Sequence, residues 1–268
     1  MNEDLEPPPN ALARKLRDAQ VCTSMIVRIS RGPEIGRIAR ACGFDALYVD
    51  LEHSPLSLET TALVCLAARE AGVTPLVRLP SPTSDVVGRV LDAGAQGVIV
   101  PHVESVDDAR RAARLTHYPP RGTRSFATGL AALDYRPSAA AEACRFLDRE
   151  TLTIVMIESA AALAGAGAIA AVEGIDMLLV GAHDLAAALG IAGQLDDPRI
   201  LDAFERVADA CHRAGKFAGA GGVAGDPALL GRVAAMGYRF MSTGSDVSFL
   251  MAGASRACAF VHSLGAGA

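Results

Sequence analysis

Apolar residues along this chain alternate between two patterns, helical stretches that end at a glycine and short aliphatic runs that begin within about three residues of it. The join occurs six times. It is found at Gly43 before Ala46 to Val49, at Gly72 before Thr74 to Val77, and at Gly94 before Gly97 to Val100. It recurs at Gly174 before Met177 to Val180, at Gly215 before Phe217 to Ala220, and at Gly237 before Arg239 to Met241. A glycine just past a helix enters the left-handed region without a Cβ clash, so each join predicts a helix, a cap and a strand. The runs are continuously aliphatic, as strands buried on both faces of a parallel sheet are.

Two further runs, Cys22 to Ile29 and Leu152 to Ile157, bring the predicted strands to eight. Helix-start chemistry lies between them. Ser105 precedes Asp107 and Asp108 with arginines later, and Asp197-Pro198 and Asp226-Pro227 place a capping acid before a first-turn proline. Eight strands alternating with helices predict a (β/α)8 TIM barrel, with a doubly wound open sheet as the structural alternative. Residues 13–268 read as that single barrel domain and residues 1–12 as a disordered N-terminal segment. His117 to Arg136 has no clean periodicity and reads as a long loop on the active side with a short helix.

In such a barrel the loops after the strands form one open face. The polar residues fall there. Successive strands run into Asp50-Leu51-Glu52-His53, Arg78, Pro101-His102-Val103-Glu104, Glu158, His183-Asp184, and a flexible turn over Gly219 to Gly222. Glu158 and Asp184 end neighbouring strands, and two adjacent anions repel unless a cation neutralises them. One reading is a divalent metal site for Mg²⁺ or Mn²⁺. The other is that Glu158 caps the following helix, or that both acids make surface ion pairs. His53, three residues after Asp50, reads either as a base oriented by that carboxylate or as a structural histidine. Arg78 reads as the partner of an acid or of a bound anion. Arg121 and Arg124 read either as receivers of a distal carboxylate or as solvated loop arginines. His102, His117, His212 and His262 read as structural.

Composition narrows the function classes. With 30 acidic against 25 basic residues the net charge is −5, which argues against nucleic acid and anionic lipid as partners. The chain is 51% hydrophobic but only 4% aromatic, with mean hydropathy +0.28, so it folds around a small-residue core and is not disordered. The six cysteines contain no C-x-x-C pair and read as buried thiols of a cytoplasmic protein. The acidic start through Pro7-Pro8-Pro9 lacks the order of a signal peptide, and the apolar stretch Ser159 to Val172 is too short to span a bilayer. The only lysines are Lys15 and Lys216, neither at the open rim, so a Schiff-base mechanism is disfavoured.

The segments Gly43-Phe44-Asp45 to His53, Val77-Arg78, Leu91 to Gly97, Val100-Pro101, Tyr118 to Ser125, Ile157-Glu158 and Val180 to Leu185 occur in an order that resembles the HpcH/HpaI family of metal-dependent class II pyruvate aldolases. The family includes 2-keto-3-deoxy-sugar-acid and 2,4-dihydroxyhept-2-ene-1,7-dioate aldolases. The resemblance implies that Glu158 and Asp184 hold the divalent metal (Mg²⁺ or Mn²⁺, Co²⁺ also fitting) and that His53 is the proton acceptor. It further implies that Asp92 raises the basicity of that histidine and that Arg78 stabilises the developing enolate. The backbone at His183 and Asp184 would hold the pyruvate carboxylate. Met156 stands where many members have Gln, and His183 where a small residue is usual. Pro101 to Glu104 also resembles the related macrophomate synthase.

The implied function is a carbon–carbon lyase that cleaves or forms 2-keto-4-hydroxy acids, giving pyruvate and an aldehyde through a metal-stabilised enolate. Its partners would be a keto acid and an aldehyde, within a homo-oligomer, hexamer or trimer, whose sites lie near subunit contacts. The alternatives are an oxaloacetate decarboxylase or macrophomate synthase-like enzyme using the same enolate, and a barrel that binds a keto acid without turnover.

Overall fold

In the computed structural model, which describes residues 9–223 and 225–265, all six glycines of the helix–strand joins have positive φ, from 66° at Gly215 to 109° at Gly94. Each follows a helix and precedes a strand. The strands are β1 (Cys22–Val27), β2 (Ala46–Asp50), β3 (Thr74–Arg78), β4 (Gly97–Val100), β5 (Leu152–Ile157), β6 (Met177–Gly181), β7 (Phe217–Gly221) and β8 (Phe240–Ser245). They pair in parallel in chain order, and β8 pairs with β1 to close the barrel. That closure excludes the open sheet. The helices are α1 (Ala11–Arg17), α2 (Glu34–Ala41), α3 (Leu58–Glu70), α4 (Val87–Asp92), α5 (Val106–Thr116) and α6 (Ala140–Glu150). They continue as α7 (Ala160–Ala170), α8 (Ala182–Ala188), α9 (Pro198–Ala214), α10 (Pro227–Ala235) and α11 (Asp246–Gly265).

Alternate strand residues fill the barrel, among them Leu76, Ile99, Ile154, Leu179 and Phe240, while Val49, Val77, Val155 and Val180 face the helices. Every residue of β2 to β6 is therefore buried. Two strand ends differ from expectation. β1 stops at Val27, not Ile29, because the N–H groups of Arg28, Ile29 and Ser30 leave the ladder and donate to the carboxylate of Asp246 at 3.0, 3.0 and 2.8 Å. β8 extends through the polar run Ser242 to Ser245, which carries no strand pattern and is held as a strand by pairing with β1.

The expected disordered segment over 1–12 requires correction at its end. Residues 1–8 lie outside the described residues, but Asn10 is fully buried and caps α1, its side chain accepting from Ala13 N–H (3.0 Å) and donating to the Gln96 and Glu150 carbonyls. Leu12 and Leu16, one turn apart, join the inner core. α1 thus plugs the end of the barrel where the strands begin.

The irregular segment after His117 is also displaced from its expected place on the active side. Helices return antiparallel to the strands, so the chain leaves α5 at the closed end. There Arg124 pairs with Asp92 (Nη2–Oδ1 2.7 Å), and Arg69 of α3 donates to the Ala131 carbonyl (2.7 Å). The short helix is a single 3-10 turn over Ala131–Leu133.

α11 begins against the barrel, where Phe249 meets Phe44 with ring centroids 5.9 Å apart, and then leaves it. Every residue from Ser248 to Leu264 is exposed, including Leu250, Met251, Phe260 and Val261. Among the described residues it is the one helix long and apolar enough to cross a membrane. The outer faces of β1 and β8, where an eighth helix would lie, carry the half-buried Thr23 and Thr243.

Candidate active site

Because all eight strands point the same way, their last residues form one rim, and a cavity of 380 Å³ opens there. Arg28, His53, Arg78, Glu158, His183 and Asp184 line its polar wall, while Tyr48, Met156 and Leu179 contribute to its floor. Asp50 ends β2 with no exposed surface. Its Oδ1 accepts from Arg78 Nε (3.0 Å), and its Oδ2 accepts from Arg78 Nη2 (2.7 Å) and Arg28 Nε (2.8 Å). Burial alone would push its pKa up, but the Arg78 fork and the Arg28 contact overcome this and hold it at about 2. Asp50 is thus a permanent anion bridging two arginines.

Arg78 is only 5% exposed and lies over the Tyr48 ring, 5.4 Å from its centroid. Desolvation would lower its pKa; the bonds from Asp50 and the nearby charges raise it instead. Its Nη1 also lies 2.8 Å from Glu52 Oε2, near enough for an ion pair though not aligned as a hydrogen bond. The Tyr48 hydroxyl, its pKa pushed up by burial, donates to the Met156 sulfur at 3.7 Å. A sulfur there accepts only weakly.

The His53 imidazole is 53% exposed, and the nearest carboxylate to it is that of Glu52, 3.7 Å away. Asp50 is expected to orient this ring; its Oδ1 instead accepts from the backbone N–H groups of Glu52 (3.1 Å) and His53 (3.2 Å), and its remaining capacity is taken by Arg78 and Arg28. Glu52 also meets His102, Nε2 to Oε1 at 2.7 Å. His102 belongs to this rim and is not a remote structural histidine. Its left-handed backbone (φ 52°) turns its N–H to Glu158 Oε2 at 3.1 Å.

Glu158 is buried at the end of β5, and a Cβ at Gly181 on neighbouring β6 would stand 2.7 Å from its Oε1. Glycine is required there to make room for the carboxylate. Burial first, and then the charges of Asp184 and Glu52, raise the pKa of Glu158 against the opposing His102 N–H. Ser159, not Glu158, caps α7, accepting from Ala162 N–H at 3.1 Å. Asp184 lies in the first turn of α8 and is exposed. Among the described residues neither acid has an arginine or lysine within 4.0 Å, which removes the capping and surface ion-pair readings. No group of three or more His, Cys, Asp or Glu side chains is gathered as an ion cage among the described residues.

Asp92 is not at this rim. It ends α4 at the closed end, paired with Arg124, so within one chain it cannot act on His53. Contact between them would need a second copy. Arg124 is consumed by that pair and Arg121 stands 3.7 Å from Glu173, so neither reaches the cavity to meet a distal carboxylate. Lys216 likewise lines a separate closed-end cleft.

Residues 23–252 match the family model described as HpcH/HpaI aldolase/citrate lyase. The chain belongs to this family. It is 38% identical over 258 residues to the 4-hydroxy-4-methyl-2-oxoglutarate aldolase tasA of Hapsidospora irregularis, covering 95% of this chain and 96% of that one. It is 34% identical over 260 residues to a hydroxypyruvate/pyruvate aldolase of Paraburkholderia phytofirmans, covering 95% and 98%. The solved HpcH/HpaI aldolase of Desulfitobacterium hafniense superposes with a TM-score of 0.88 at 30% identity, covering 93% of this chain and 96% of that one. The chain is therefore a (β/α)8-barrel aldolase, a carbon–carbon lyase of the aldehyde-lyase class.

Proposed function

We propose that this aldolase cleaves and forms 2-keto-4-hydroxy acids at the rim cavity, with pyruvate as the constant half of the substrate and Glu158 with Asp184 holding a divalent cation. The observation that carries the cation is a charge imbalance. Arg28 and Arg78 balance Asp50 and Glu52, whereas among the described residues Glu158 and Asp184, on the same cavity, have no arginine or lysine within 4.0 Å, and only the His102 imidazole approaches Glu158, at 3.8 Å. Two carboxylates with open positions for water and substrate oxygens suit Mg²⁺ or Mn²⁺, and admit Co²⁺. When bound, such an ion supplies Lewis-acid polarisation of the keto-acid carbonyl.

The chain's own groups supply the rest. His53, half exposed at the cavity mouth and next to Glu52, takes the proton of the C4 hydroxyl. The C3–C4 bond then breaks, the C4 carbonyl fragment leaves, and the electron pair remains on the pyruvate half, delocalised towards its C2 oxygen. Arg78, fixed by Asp50 and Glu52, holds positive charge beside that oxygen. A proton returned to C3 completes pyruvate. The test follows exchange of pyruvate methyl protons in D₂O, which reports enolate formation without an acceptor. Exchange is expected with Mg²⁺ or Mn²⁺ and is expected to vanish in excess chelator; exchange unaffected by chelation defeats the cation reading.

The same chain is proposed to work as a homo-oligomer, a hexamer built of exchanged pairs. Support comes from α11, whose apolar residues Leu250, Met251, Phe260, Val261 and Leu264 stand exposed, and from the half-buried Thr23 and Thr243 on the outer faces of β1 and β8. Each copy offers both a helix and a place for one, so a two-fold exchange closes on itself. Trimers without such pairs do not satisfy it. Replacing Phe260 and Leu264 by Asp is expected to shift the mass by light scattering towards the single chain. A wild-type protein that is monomeric at micromolar concentration removes the proposal. All six cysteines are free thiols, which supports a reducing, cytoplasmic setting; Cys22, Cys65 and Cys211 are buried, but Cys144 is half-buried and Cys42 and Cys258 are exposed, against the expectation that all six are buried.

A further inference from the structure

Arg28 follows the last residue of β1 on the cavity wall, and nothing in the proposed reaction uses it. Its backbone N–H is fixed by Asp246 at 3.0 Å and its Nε by Asp50 at 2.8 Å, so the root and the neck of the side chain are both anchored. The two terminal nitrogens have no protein partner, and the side chain is 35% exposed. Arg78 is the contrast. Its Nε and Nη2 are spent on Asp50, its Nη1 stands against Glu52, and it is almost wholly buried. Of the two guanidiniums at the cavity, one is committed to the protein and the other presents a pair of parallel donors to whatever enters.

The geometry points to Arg28 as the specificity-determining receiver of a second carboxylate, carried on C4 of the substrate, so that the fragment leaving with C4 is itself a 2-oxo acid. This rests on the aldol reading above and names the substrate class of that site. The planar nitrogen pair matches a carboxylate in two charge-assisted bonds, whereas an uncharged C4 substituent would leave those donors unsatisfied in a partly desolvated cavity. With its root and neck anchored, the guanidinium needs little further ordering to bind. Arg121 and Arg124 are excluded from this role by their distance in the fold, since both belong to the closed end. Among the described residues, Arg28 is the one arginine lining the cavity with its terminal nitrogens unpaired.

The test compares two substrates that differ at one group. Cleavage of 4-hydroxy-2-oxoglutarate gives pyruvate and glyoxylate, and cleavage of 4-hydroxy-2-oxopentanoate gives pyruvate and acetaldehyde; the first carries the C4 carboxylate and the second a methyl. The wild-type enzyme is expected to favour the dicarboxylate in kcat/KM. In Arg28→Met the ratio of the two kcat/KM values is expected to fall about 10- to 100-fold, chiefly through KM for the dicarboxylate, and Arg28→Lys is expected to recover part of it. A wild type without preference, or an Arg28→Met variant that loses both substrates in equal proportion, overturns the assignment, the latter showing that Arg28 acts only through Asp50. Pyruvate methyl exchange by the wild type is measured alongside. Its absence overturns the underlying reading and this inference with it, whereas exchange with an unchanged ratio in Arg28→Met overturns this inference alone.

Discussion

Glu158→Gln is expected to abolish turnover while leaving the fold as stable as before or more so. The carboxylate is buried just past β5, its pKa raised by that burial and by the charges of Asp184 and Glu52, and among the described residues no arginine or lysine offsets it, the one nearby imidazole being that of His102 at 3.8 Å. A neutral amide of the same shape removes this repulsion, and its carbonyl can still accept the His102 N–H now given to Oε2. Chelated variant and chelated wild type should therefore unfold at similar temperatures, with any difference favouring the variant. Activity should move the other way, with pyruvate exchange falling by about 10³-fold or more, since half of the proposed donor pair is gone. Mn²⁺ affinity, read by paramagnetic relaxation of water, should weaken in parallel. If Glu158 were only a structural acid, the signs would reverse: stability would drop and exchange would survive.

How far the chain announces this arrangement differs from element to element. The strands β2 to β6 are readable because both of their faces are buried, which leaves unbroken aliphatic runs, and because a glycine stands at several of the preceding helix ends. β8 is not readable beyond Met241, since Ser242-Thr243-Gly244-Ser245 owes its strand conformation to the closing ladder with β1. α1 looks like a frayed start, being short and preceded by three prolines. Its order comes from Asn10, whose bonds reach residues 86 and 140 positions away, a separation that no local pattern encodes.

The site shows the same division. Arg78 and Glu158 are visible at the rim because each ends or directly follows an aliphatic run, and Asp184 because it stands three residues beyond the end of β6. Arg28 is hidden inside the apparent run Cys22 to Ile29, and only the capture of its N–H by Asp246 takes it out of the ladder and sets it beside the cavity. His102 is hidden because its position depends on a left-handed backbone that most residues avoid. Asp92 could have been placed, since a residue at the end of a helix that leads into a strand must lie at the closed end. α11 has an apolar composition readable as a core helix or a spanning segment, and no local pattern announces that Ser248 to Leu264 stand exposed.

The second large effect is expected at Asp50, the anion shared by Arg28 and Arg78. Asp50→Ala leaves the guanidinium of Arg78 buried without its two best bonds, and Glu52, misaligned for a hydrogen bond, cannot replace them. Loss of one partner from a buried pair typically costs about 3–5 kcal/mol, so the urea midpoint should drop markedly. The pH dependence gives an independent check on the cause. The Asp50 carboxyl is held at about 2 in the folded chain against an ordinary 3.8, so the folded state binds its proton less tightly than the unfolded state does. Its contribution, about 2 kcal/mol from that shift, is therefore complete above pH ~4 and disappears as the pH falls through ~2. Across that acid window the wild type should lose stability faster than Asp50→Asn, which has no proton to gain there. Parallel acid slopes would mean that the two arginines are held by something other than this carboxylate, and with that the fixed cation beside the substrate oxygen would lose its support.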